Sequence, residues 1–108
     1  MSADVWLQID TGGPEPTSVT ETRTLTYNLT PMLRAAGFCG WQELMGQNAA
    51  ESEPMLMATG RALRADPARF KAMNPENGWG DYEQAIDMME ELALDARKHP
   101  KAHWGGWL

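Results

Sequence analysis

Val5, Leu7 and Ile9 alternate with Trp6, Gln8 and Asp10, the period of two that turns one face of a strand inward and the other to solvent. Thr11-Gly12-Gly13-Pro14-Glu15-Pro16 ends that strand, because two glycines and two prolines cannot continue a ladder. A second strand is predicted from Thr22 to Thr30. Thr24, Thr26 and Asn28 fall on one face, and Arg23, Leu25 and Tyr27 on the other. The two runs can pair antiparallel through a wide loop, since the connection is too long for a two-residue hairpin.

Thr30-Pro31 predicts a helix start, with Thr as N-cap and Pro in the first helical position. That helix carries Met32, Leu33, Ala35 and Ala36 and stops at Gly37. Residues 38–50 give a weak helical pattern interrupted by Gly40 and Gly46. Ser52 is the expected cap of the next helix, with Pro54 in its first turn and Leu56 and Leu63 on its apolar face. Asp66-Pro67 breaks it and opens a short helical turn with Phe70 and Met73. Residues 74–80 predict a loop, since one proline and two glycines in seven positions preclude regular structure.

The last helix has the strongest pattern. Asp81 and Gln84 form a capping-box spacing, and Tyr82, Ala85, Ile86, Met89, Leu92, Ala93 and Ala96 make a continuous apolar stripe. Glu83, Asp87, Glu90, Glu91 and Asp95 are placed on the solvated side, and Arg97-Lys98 suit the C-terminal end of the dipole. His99-Pro100 ends the helix. Residues 101–108 predict a closing strand with Ala102 and Trp104 on one face and His103 and Trp107 on the other. The resulting fold class is α+β: a small, mostly antiparallel sheet of about three strands, covered on one face by three to four helices, in one domain spanning residues 1–108.

Composition changes this picture in two ways. A formal net charge of −6 disfavours direct, sequence-independent binding to nucleic acid or to an anionic membrane, and it suits a basic protein partner. The single cysteine, Cys39, makes an internal disulfide impossible and points to a reducing compartment. The first residues have neither the basic nor the apolar stretch of a secretory signal, and no segment has the roughly 20 apolar residues of a membrane helix.

Most familiar chemistries find no set of residues. Asp10-Thr11-Gly12 matches the aspartic-protease triplet, but Gly13-Pro14-Glu15-Pro16 is wrong for the strand that should follow. His99 and His103 are split by Pro100 and cannot share a helix. No Cys-x-x-Cys or His-Glu-x-x-His pattern occurs. Carboxylates along one helix cannot face each other across a cleft as a glycosidase pair must. The expectation is a non-enzymatic protein without cofactor or metal.

Three features remain as candidate binding elements. Glycines on both sides of Trp79 permit a tight turn at a helix start, with Asn77 and Tyr82 beside it. The indole either meets a ligand or folds back as a plug over the helix end. Asn28, with Thr24 and Thr26, either lines a polar pocket or faces water. Arg61 and Arg64 on adjacent turns, with Arg69 and Lys71 nearby, are the one basic concentration and the best place for a phosphate-bearing ligand.

Asp10-Thr11-Gly12-Gly13, Tyr27-Asn28-Leu29-Thr30-Pro31-Met32, the run from Asn74 to Tyr82, and His99-Pro100-Lys101-Ala102 together resemble a family of short actinobacteriophage proteins whose motifs carry no known reaction. The resemblance covers nearly the whole chain. It implies a viral accessory protein acting in the cytoplasm of an infected host cell. The expected function is binding of a small nucleotide-like ligand or a host protein, counteracting host defence, through Asn28, Arg61, Arg64, Asn77, Trp79 and Tyr82. The alternative is a small virion or assembly protein acting as a homo-oligomer.

Overall fold

A computed structural model describes all residues from Met1 to Leu108. Strand β1 (Ser2–Ile9) is the centre of the sheet and pairs antiparallel with every other strand. Asp4 and Val5 pair with both β3 (Arg23–Thr26) and β4 (His103–Trp107), so those two strands flank β1 on opposite sides. The two-residue strand β2 (Thr17–Ser18) pairs with Gln8 and Ile9, continuing the β3 side of the ladder. Four strands thus form a sheet only three strands wide. Between β2 and β3, the Thr20 hydroxyl accepts the Leu7 N–H at 2.9 Å, so the interruption costs no main-chain donor its partner.

The period-two pattern of β1 is realised at Val5 and Leu7, which are fully buried with Ala3, while Trp6 and Gln8 lie half-buried on the opposite face; Ile9, expected on the inner face, is exposed at the end of the strand. There the Trp6 indole N–H donates to Gln8 Oε1 at 2.9 Å, and Gln8 Nε2 lies 3.3 Å from His103 Nε2. A Cβ at Gly105, the residue opposite Trp6, would come within 2.7 Å of the Gln8 amide; glycine lets that amide lie flat on the sheet.

Five helices follow: α1 (Thr30–Ala35), α2 (Trp41–Leu44), α3 (Ala49–Ala65), α4 (Pro67–Lys71) and α5 (Tyr82–Lys98). The entire predicted stripe of α5 is buried, joined by Met88, and α5 packs principally on α3. Its capping box is complete: the Gln84 N–H donates to Asp81 Oδ1 at 2.9 Å, and the Asp81 N–H donates to Gln84 Oε1 at 3.2 Å. Burial of some two dozen apolar side chains between the sheet's inner face and the helices makes one continuous core.

Several boundaries differ from the sequence expectation. The second strand stops at Thr26, whose hydroxyl accepts the Asn28 N–H at 3.3 Å and turns Tyr27–Leu29 into a 3₁₀ turn. Asn28 therefore leaves the sheet. Thr30 does not cap α1; its hydroxyl instead accepts the Trp41 indole N–H at 3.2 Å. Helix α3 begins three residues before Ser52, with Asn48 as the cap accepting the Glu51 N–H at 3.3 Å. Ser52 is buried within the helix and accepts the Trp104 indole N–H at 2.8 Å, which satisfies the donor of the largest fully buried side chain. Asp95, placed by pattern on the solvated side of the last helix, is only 6% exposed.

Candidate functional site

The loop from Asn74 to Gly80 meets the turn at the end of β3, and the meeting is built around two glycines. Gly78 and Gly80 have positive φ, +75° and +100°. A Cβ at Gly80 would lie 2.7 Å from Thr26 Cγ2 and 2.9 Å from Leu29 Cγ, so only a glycine lets the loop seat against that turn. Asn77 Oδ1 accepts the Trp79 N–H at 3.0 Å and closes a local turn. The Asn28 amide reaches the Trp79 carbonyl at 3.5 Å from the other side. With its backbone pinned on both flanks, the Trp79 side chain projects outward and is 69% exposed. It is not a plug.

Beside this indole runs a groove of about 330 Å³, lined by Thr24, Leu25 and Thr26 of β3, by Trp79 and Gly80, and by Gln84, Asp87, Met88 and Glu91 of α5. β3 pairs with β1 alone, so its other edge has no strand partner. Leu25 and Met88 are buried, and the charged groups of the lining are carboxylates. At the far end of β3, Arg23 makes a forked pair with Asp95, Nε to Oδ2 at 3.0 Å and Nη2 to Oδ1 at 3.1 Å, with Glu91 at 3.6 Å and Glu21 at 3.8 Å. The Asp95 hydrogen bond, reinforced by these carboxylates, raises the Arg23 pKa above its ordinary value against the opposing effect of burial. Arg23 thus ties β3 to α5 and holds the two walls together, a role spent within the fold.

The six sequence candidates divide. Asn28, Asn77 and Trp79 come together, the first two as supports and the third as the exposed side chain. Tyr82 is corrected from ligand contact to structural anchor: it is 5% exposed and its hydroxyl donates to the buried Leu63 carbonyl. Arg64 lies apart, in a recess with Pro67, Tyr82 and Glu83, and its fork is occupied by Glu90 at 2.6 and 2.8 Å. That pair raises the Arg64 pKa and lowers that of Glu90, because each charged form is hydrogen-bonded by the other. Arg61 is exposed and lines none of the concavities. The expected basic cluster does not form a phosphate cradle.

Asp87, Glu91 and Gln84 were missed as site residues. Their spacing along α5 was legible, but nothing local says that their side of the helix faces a strand edge. Cys39 is half-buried, and its thiol donates to the Gly40 carbonyl at 3.3 Å. Burial, with Glu43 nearby, raises its pKa, so the nucleophilic thiolate is disfavoured. No three His, Cys, Asp or Glu side chains converge as metal ligands, and no helix is long and apolar enough to cross a membrane. No protein-family model, curated protein or solved structure matches the chain.

Proposed function

We propose that this chain is a non-catalytic binding protein whose groove beside Trp79 takes a cationic segment of a protein partner. The carrying observation is an exposed indole, on a backbone held by Asn77 and Asn28, beside a groove whose charged groups are all acidic. A lysine or arginine side chain meets complementary chemistry there: the π face of Trp79 and the carboxylates of Asp87 and Glu91. The volume suits one or two side chains of a larger partner better than a nucleotide, and an anionic nucleotide would face two carboxylates. The unpaired edge of β3 offers main-chain hydrogen bonds to an extended segment laid along it.

With the resemblance to actinobacteriophage proteins, the partner is a basic surface of a host protein, and the outcome is occupation of that surface during infection. The test is affinity capture from an actinobacterial host lysate with the wild type, Trp79→Ala and the double variant Asp87→Asn/Glu91→Gln. A protein with a basic contact surface should be retained by the wild type and lost by both variants. Equal retention by all three would remove the groove from the function.

A further inference from the structure

Five concavities mark the surface, and four of them include carboxylates: Asp87 and Glu91, Glu83 and Asp87, Asp87 with Glu90 and Glu91, and Asp4 with Glu15. The fifth departs from this rule. It encloses about 570 Å³, within the roughly 300–1,000 Å³ range of small-molecule sites, and its one charged lining side chain is Arg34. In a chain of net charge −6, this is the concavity lined by a cationic side chain and by no acidic side chain.

Arg34 is also the least committed of the paired arginines. Arg23, Arg64 and Arg97 each place a guanidinium nitrogen within 3.0 Å of a carboxylate. Arg34 has one long contact, 3.8 Å from Nη2 to Glu43 Oε2, between side chains that are each about half exposed. Such a pair contributes little and leaves most of the five guanidinium donors free. Gly40 makes room for it: a Cβ there would fall 2.5 Å from Arg34 Nη2.

The rest of the cavity lining has no charged side chain. Tyr27, Thr30, Pro31, Trp41, Gln42 and Leu108 make it up. Trp41 is held edge-on to Phe38, ring centroids 4.7 Å apart, and its N–H is already used by Thr30. The ring is therefore fixed in place, and its remaining surface toward the cavity is carbon. The held Trp41 ring and the neighbouring Tyr27 ring, with a forked cation at one side, match a planar ring bearing an anionic group.

We propose that this cavity binds a planar aromatic anion, with Arg34 taking the anionic group and Tyr27 and Trp41 flanking the ring. The site shares no lining residue with the Trp79 groove, so it stands or falls independently of that groove's partner. Two sources supply this chemistry, a nucleoside phosphate and an aryl carboxylate, and the probes separate them. The full chain would be titrated with adenosine 5′-monophosphate and with 2-naphthoate, reading the Trp41 indole N–H by NMR, assigned through Trp41→Phe, alongside calorimetry. A shift of that resonance with either probe supports the proposal, and the probe that binds names the source.

The uncharged partners adenosine and 2-naphthamide, and the variant Arg34→Gln, should each weaken binding by about tenfold or more, the scale of a charge-assisted hydrogen bond. Arg34 is a surface residue, so its variant should unfold at the wild-type temperature, and a loss of binding would then reflect the site itself. Silence of the Trp41 resonance at millimolar concentrations of both anions would overturn the proposal. So would equal binding by the neutral analogues or by Arg34→Gln.

Discussion

The two concavities abutting the end of β3 each contain a tryptophan, and the two indoles have opposite tasks. Trp79 is 69% exposed beside acidic walls; Trp41 is 4% exposed beside the weakly paired Arg34. The indole N–H explains part of the difference. Trp41 satisfies its donor on Thr30 and can be buried at no polar cost. Trp79 makes its main-chain bonds through Asn77 and Asn28 and leaves its ring free. Residue type alone does not say whether a tryptophan is core or contact surface; the partner of its N–H and the backbone around it do.

The comparison breaks most visibly on truncation. Trp41→Ala should destabilise the fold by about 3–5 kcal/mol, because a buried aromatic leaves a cavity beside Phe38 and an unpaired Thr30 hydroxyl; urea unfolding measures it. Arg23→Ala should cost about 3 kcal/mol by the same measurement, since Asp95 would remain buried without its counter-charge and the groove would lose its brace.

Gly80→Ala follows at about 2 kcal/mol, from a side chain at φ +100° that would also collide with Thr26 and Leu29. It sharpens the comparison, because the loop displacement should also change the NMR environment of the Trp79 indole while leaving that of Trp41 unmoved. Trp79→Ala should have the smallest effect on stability, within about 0.5 kcal/mol, while abolishing partner capture. A large stability loss from Trp79→Ala would return that residue to a structural role.

Local pattern determined a good part of this molecule. The alternation at Val5 and Leu7, the stripe of the last helix and the Asp81–Gln84 box are set by period and by neighbours a few residues away. The loop around Trp79 was equally legible, because Gly78 and Gly80 reserve a backbone conformation that other residues rarely adopt.

Tertiary structure decided the rest, and each case involves a partner distant in sequence. Asp95 reads as a solvated acid until β3 brings Arg23 against it. Arg64 reads as a free cation until α5 presents Glu90. Tyr82 reads both as part of the apolar stripe and as a ligand contact until Leu63 offers a buried carbonyl to its hydroxyl. Ser52 reads as a helix cap until Trp104 needs an acceptor. Spacing along one chain segment specifies which side chains share a face. Only packing specifies what that face meets, and the chemistry of a charged or hydrogen-bonding group is set by what it meets.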